Sequence, residues 1–250
     1  MEKDLDIPIL ENEEMWASRV IDENNINVKL LSYSQPTGEF RDMGISDAQE
    51  LIAYCARVSN PSNQFNTETS TKLIQYLTKH QHWSPLEMVS ACLEITTTRD
   101  IARQILRHRS FSFQEFSQRY ADPTGELSFV CREARLQDPK NRQNSVELDL
   151  TTDEGRRLAW QWEAMQKGVI EKARDAYAWA VDAGIAKEQA RAVLPEGNTV
   201  SRLYMNGTLR SWIHYIELRA AHGTQKEHSL VARECAKVIS EIFPLANKLI

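Results

Sequence analysis

The hydrophobic period of this chain changes twice within about forty residues, and few folds accommodate that. Residues 69–81 place Leu73, Ile74, Leu77 and His80 on one face, at helical spacing. Residues 87–96 then alternate: Val89, Ala91, Leu93 and Ile95 interleave with Met88, Ser90, Cys92 and Glu94, the pattern of a half-buried strand. Residues 100–106 return to helical spacing. A segment with period two cannot sit in a helix, nor its neighbours in a strand, so an all-α or all-β fold is excluded.

The remaining chain favours helix. Val28 to Tyr33 reads as a short strand, and residues 47–56 as a helix with Ser46 as N-cap. The pattern Thr151-x-x-Glu154 resembles a capping box. Beyond it Leu158, Trp162, Met165, Val169, Ala173, Ala176 and Ala180 form a core stripe on a long helix that Gly184 ends. Shorter helices are expected at 187–193, 209–221 and 225–242. Residues 110–117 read as irregular, 118–120 as the start of a strand, and 121–149 as loops with a short strand at 127–131. The expected class is α+β: a helix-rich single domain at 28–250 with a small sheet, preceded by an acidic leader at 1–27.

With 250 residues and a formal net charge of −5, the chain is long enough for a real core, and its acidity argues against bulk nucleic-acid binding. No apolar run is long enough to cross a bilayer, so no membrane association is expected. The four cysteines, Cys55, Cys92, Cys131 and Cys235, are scattered, which suggests reduced thiols in a cytoplasmic protein. None of the nine glycines falls in a G-x-G-x-x-G or G-x-x-x-x-G-K-[ST] pattern. A bound nucleotide would therefore have its phosphates held by side chains.

The side chains suited to that task lie between residues 99 and 120. Arg99, Arg103, Arg107, Arg109 and Arg119 are opposed there only by Asp100 and Glu115, with no lysine. Guanidinium forks give bidentate contacts to phosphate and carboxylate. Gln104 and Arg107, three apart, and Arg103 and Arg107, four apart, fall on neighbouring parts of one helix face. Ser110, Ser112, Gln114 and Ser117 add hydroxyl and amide groups. A solvated ion-paired face is the alternative reading; the local excess of arginine in an acidic chain favours a phosphorylated ligand.

Arg107-His108-Arg109, followed after seven residues by Ser117, resembles the signature motif of the flavin-dependent thymidylate synthases. The likeness extends through Glu115 and Ser117-Gln118-Arg119-Tyr120. Ala56 to Ser59, His82 to Glu87, Ala190 to Pro195 and Arg210 to Arg219 resemble further family segments in the same order. That resemblance implies a thymidylate synthase-complementing fold, a homotetramer with active sites shared between subunits, and FAD. It also implies conversion of dUMP to dTMP, with methylenetetrahydrofolate as carbon donor and NADPH as reductant, and no cysteine nucleophile.

By the same resemblance, Gln104, Ile105, Leu106, Arg107, Glu115, Phe116, Ser117, Gln118, Arg119, Arg191 and Arg219 would contact dUMP, with Ser117 and Arg119 near its phosphate. Ser59, His82, Ser84, Glu87, Arg107, His108, Arg109, Glu115, Thr208, Leu209, Arg210 and His214 would contact FAD, His82 near the flavin ring or the folate. Arg219 would be the catalytic group, a fixed positive charge aimed at the uracil anion. Thr208 stands where many relatives have Asn, and Phe116 where they have a polar or aliphatic residue.

On the expected helix at 209–221, Arg210 and His214 share a face. Arg219 lies nine positions beyond Arg210, roughly opposite at about 100° per residue. The helix is therefore expected to serve ligands on both sides, at a subunit junction. No metal is expected: His80, His82 and Cys92 are loosely spaced and His80 falls on an apolar face, while His222 and His228 lack an H-E-x-x-H pattern. Trp160, two residues from Trp162, cannot share its face and is an expected interface residue. Two other functions fit parts of the pattern. One is an FAD-binding nucleotide oxidoreductase without methyl transfer; the other is an RNA-binding module using Arg107, Arg109, Phe111 and Phe113.

Overall fold

A computed structural model describes residues 26–244; residues 1–25 of the expected leader and the last six residues lie outside that range, whereas Ile26 is buried and Asn27 opens the first strand. In chain order the elements are β1 (Asn27–Tyr33), α1 (Gly38–Asp42), α2 (Ala48–Ala56), α3 (Ser70–Lys79), β2 (Ser90–Thr98), α4 (Arg99–Ile105), β3 (Ser112–Glu115), α5 (Pro123–Glu126), β4 (Arg135–Gln137), β5 (Ser145–Glu147), α6 (Asp153–Asp182), α7 (Lys187–Ala190), β6 (Val200–Thr208), α8 (Leu209–Ala220) and α9 (Lys226–Ile242). The α+β class expected from the changes of period holds, with helices predominating.

An antiparallel sheet in the order β1-β2-β6-β3 organises the molecule. Along β2, Ala91, Leu93 and Ile95 are buried as the alternation requires. They pack with Leu203 and Met205 of β6 under Trp212, Ile213, Tyr215 and Ile216 of α8 and Val231, Cys235 and Ile239 of α9. β6 was not anticipated, although Ser201, Leu203, Met205 and Gly207 alternate with exposed Arg202, Tyr204 and Asn206. Its polar and glycine content hides a strand paired on both sides. Residues 112–115, expected to be irregular, form the edge strand β3 because β6 offers them a partner. The strand expected at 118–120 is instead a turn closed on the Ser117 carbonyl. The one expected at 127–131 reduces to a bridge between Phe129 and Thr199.

Two helix starts fall one residue from where the sequence pointed. Asp47 caps α2, its carboxylate accepting the Glu50 N–H at 2.8 Å, while the Ser46 N–H and hydroxyl donate back to Glu50. Thr152, one residue beyond the expected box, caps α6 by accepting the Gly155 N–H at 3.1 Å. The stop is as expected: Gly184 follows the end of α6 with φ +80°, a left-handed conformation that suits glycine.

The expected stripe on α6 holds only in its second half. Ile170, Tyr177 and Ala180 pack on Phe129, Cys131, Ala190 and Leu194 in a second core, and Ala173 is buried on the same half. Leu158, Trp162, Met165 and Val169 are exposed, Trp162 by 45%; Leu158 and Trp162 line an open hollow with Arg132, Arg135 and Ser145 rather than a closed core. Gln166 anchors the junction, accepting the Arg132 N–H at 2.7 Å and donating to the Arg132 carbonyl at 2.8 Å. His80 is also exposed, its ring 4.2 Å from that of Tyr76, rather than on the buried face of α3.

Candidate active site

Register places the chemistry. β2 and β6 pair from Ser90↔Thr208 to Thr98↔Val200, so α4 leaves one end of the sheet and α8 the other. At the α4 end, the Arg99 N–H donates to the Thr199 carbonyl at 3.0 Å. The buried Arg99 guanidinium lies 3.5 Å from Glu115 and 3.8 Å from Glu196. Glu115 accepts the Ser201 hydroxyl at 2.8 Å. Arg103 reaches Glu196 at 3.6 Å. Arg119 and Arg191 converge on Glu188, one on its carboxylate at 3.6 Å, the other on its carbonyl at 3.3 Å. Burial lowers the Arg99 pKa most; Glu115 and Glu196 oppose that, and Arg103 and Arg191 add to it. Four arginines far apart in the chain thus meet around three glutamates.

Around them, Phe116 continues the β3 ladder by donating to the Arg202 carbonyl at 2.8 Å, and the Ser117 carbonyl closes the next turn. Gln118 is buried, and its Nε2 has no hydrogen-bond partner among the described residues.

A second group lies between α4, α8 and α9. Arg219 Nε donates to His108 Nε2 at 3.0 Å. Burial first, and then Arg219, lowers the His108 pKa to about 4, so the imidazole is neutral and accepts at Nε2. Gln104 joins this group through His228 and Gln225. Arg107 and Arg109 are exposed and form no side-chain hydrogen bond or ion pair among the described residues. Leu106 is half-buried at the end of α4. Ile105 is 0% exposed, which leaves only its backbone to meet a ligand.

The third group surrounds the start of α8. Arg210 donates to Glu87, and the His214 ring stands edge-on to Trp83 at 4.6 Å. The Ser211 hydroxyl donates to the Ser110 carbonyl at 3.3 Å, which ties this helix end to the Arg107–Arg109 loop. Thr208 spends its hydroxyl as the helix cap, accepting from the Ser211 N–H at 3.3 Å, and Leu209 is fully buried. Ser84 and His82 are exposed beside this turn; Ser59 lies apart, in a hollow of about 500 Å³ with Arg57, Asn60 and Lys72. Arg210 and His214 therefore look toward residues 83–87 and Arg219 toward His108, so the two faces of α8 meet different parts of the fold.

Phe111 does not serve as a base-stacking platform. Its ring is buried, 4.8 Å from Trp212 and 6.1 Å from Tyr215, which removes half of the aromatic pair on which an RNA-binding reading relied. Among the described residues, no three histidine, cysteine, aspartate or glutamate side chains converge as a metal ion would require, and no helix is long and apolar enough to cross a membrane.

Residues 42–245 match the family model described as thymidylate synthase complementing protein. The chain belongs to this family. It is 49% identical over 220 residues to the flavin-dependent thymidylate synthase of Synechocystis sp., covering 88% of this chain and 96% of that one. It is 45% identical over 223 residues to the probable flavin-dependent thymidylate synthase of Paramecium bursaria Chlorella virus 1, covering 89% and 98%. Among solved structures, a UMP/dUMP methylase PolB from Streptomyces cacaoi bound with 5-Br UMP is similar at 25% identity with a TM-score of 0.69, covering 90% of this chain and 92% of that one. The same protein bound with 5-Br dUMP aligns with a TM-score of 0.72 at 24% identity, which shows the shared fold. The matched span includes β6, and the sequence signal that could have found this strand is the alternation at 201–207.

Proposed function

We propose that this chain is a flavin-dependent thymidylate synthase that methylates dUMP to dTMP, with FAD as its flavin, methylenetetrahydrofolate as carbon donor and NADPH as reductant. The observation that carries this reading is the convergence of Arg99, Arg103, Arg119 and Arg191 at one end of the sheet, with Arg107, Arg109 and Arg219 close by in the chain or across α8. A nucleoside monophosphate needs such a charge balance. Of two family members, the one at 49% identity is named flavin-dependent thymidylate synthase and the one at 45% probable flavin-dependent thymidylate synthase, and a structural neighbour is described as a UMP/dUMP methylase.

The donor set also suits FAD. Exposed Arg107 and Arg109 offer uncommitted guanidinium groups to a pyrophosphate, and the Glu87–Arg210 pair with His214 lies at the helix end joined to them through Ser110. When bound, the flavin supplies the hydride for the reductive step. This chain's residues then have separable tasks. Glu115 holds Arg99 and Ser201, fixing the ends of β3 and β6, while Arg119, Ser117 and Arg191 take the phosphate. The buried Gln118 amide supplies a further donor. Neutral His108 orients Arg219 by accepting from Nε, and the remaining N–H groups of that guanidinium face an anionic uracil. The exposed row Leu158, Trp162, Met165 and Val169 on α6 gives a second copy of the chain an apolar surface to cover, in keeping with a homotetramer.

The test is direct. The purified protein carries or takes up FAD, giving a flavin visible spectrum, and converts dUMP to dTMP only with methylenetetrahydrofolate and a reductant. A colourless preparation that takes up no FAD, or one that oxidises NADPH with dUMP yet forms no dTMP, refutes the assignment.

A further inference from the structure

A partly buried line of hydrogen bonds runs from an ion-paired carboxylate to the candidate nucleotide site, and its direction is fixed by chemistry. Glu227 is almost wholly buried, with Arg135 at 2.6 Å and Arg132 at 3.0 Å. Burial raises its pKa; Arg132, the Glu227 backbone N–H, Arg135 and Gln225 together outweigh that, so the net shift is downward and the group is a carboxylate. A carboxylate only accepts, so the Gln225 amide nitrogen must face it, at 2.9 Å. The Gln225 carbonyl oxygen then faces Gln104 at 2.8 Å and can only accept, so Gln104 presents its own amide nitrogen. The Gln104 oxygen is left toward His228 Nδ1 at 3.2 Å, which must carry the proton. Reversing any amide would set two acceptors against each other.

His228 ends the line and is 0% exposed. Arg219 and His108 face it from α8 and from the loop after α4; burial first, then these two groups, lowers its pKa to about 3. It is therefore neutral, with Nδ1 protonated and Nε2 bare; Nε2 has no hydrogen-bond partner among the described residues. Its ring lies 5.8 Å from Tyr215 and 6.3 Å from His108. A buried histidine held in one tautomer beside two candidate site residues does more than fill space.

We infer that His228 is a positioning residue for the nucleotide site: its Nδ1–H fixes Gln104 with one amide N–H committed inward and the other available to a carbonyl oxygen of a uracil base. The inference rests on the proposed binding of dUMP near Gln104. The site is thereby set to donate toward a base carbonyl rather than to accept from a ring N–H, and Glu227, more than one residue removed from the ligand, sets that polarity.

The experiment uses the full-length flavin-loaded enzyme and dUMP. His228→Phe keeps the ring volume but removes the donor, and is expected to raise the KM for dUMP about tenfold with kcat within about threefold of wild type, the effect of one freed polar side chain. His228→Asn carries an amide N–H near the Nδ1 position and restores KM to within about threefold of wild type. Wild-type KM in His228→Phe, or equal impairment in a folded His228→Asn, overturns the inference. Histidine-selective 15N NMR of the wild-type protein without ligand, with His228→Asn identifying the signal, decides independently: Nδ1 protonated and Nε2 bare across the neutral range supports it, and the opposite tautomer or a cation refutes it. Should the wild-type enzyme leave dUMP unconverted and unbound, the functional reading fails by itself, and the nitrogen shifts still judge the hydrogen-bond line.

Discussion

Gly207 on β6 sits directly beneath the Phe111 ring, and replacing it with alanine is a quantitative test of how the sheet positions the arginine motif. A Cβ there would lie 2.4 Å from Phe111 Cδ1 and 2.6 Å from Cε1. Relaxed carbon–carbon contacts lie near about 3.5–4.0 Å, so the ring must retreat by about 1 Å. It has little room: Phe111 is buried, with Trp212 at 4.8 Å and Phe113 at 6.2 Å between ring centroids. Overpacking of this kind costs about 1–3 kcal/mol. For a chain of this size, that corresponds to a fall in melting temperature of about 2–12 °C. Calorimetry of Gly207→Ala measures it, and a double-mutant cycle locates it: in a Phe111→Ala background the second substitution should cost almost nothing, because the ring it strikes is gone. Because Phe111 follows Arg107-His108-Arg109 closely, the same variant should also weaken dUMP binding. An unchanged melting temperature, or an equal loss with and without the Phe111 ring, refutes the reasoning.

Arg219→Ala is expected to keep the fold and the flavin spectrum but lose dTMP formation; it should also let the His108 pKa rise from about 4 toward the ordinary value, which NMR titration reads. Glu227→Gln removes the buried charge between Arg132 and Arg135 and should cost about 3–5 kcal/mol in denaturant unfolding. Because the Glu227 pKa is depressed in the fold, its stabilisation is present above the unfolded carboxylate value of about 4.3 and lost as pH falls through the folded value, so the variant's stability should decline less steeply with acid than wild type. Met165→Glu with Val169→Glu, on the exposed row of α6, should lower the particle mass seen by light scattering; an unchanged mass would show that copies meet elsewhere.

Where sequence and structure part, the cause is identifiable. Residues 87–96 announced a strand because their alternation is apolar against polar. Residues 200–208 concealed one because Ser201 and Gly207 occupy inward positions, Ser201 to hold Glu115 and Gly207 to admit Phe111. Leu158, Trp162, Met165 and Val169 satisfied the helical period yet face outward. Periodicity reports that a face is apolar, without saying which body covers it.

The sequence by itself determined the α+β class, the limits of most helices, the arginine excess of residues 99–120 and, through spacing alone, that Arg210 and Arg219 point to opposite sides of one helix. Only the tertiary structure decided that Arg99 would be locked between Glu115 and Glu196, that Arg191 would meet Arg119 over Glu188, and that His228 would reach Gln104. Local spacing is set by bond geometry and backbone hydrogen bonding, so it can be read along the chain. Contacts between residues distant in the chain depend on strand register and on how helices pack, and these are settled only when the whole core is assembled.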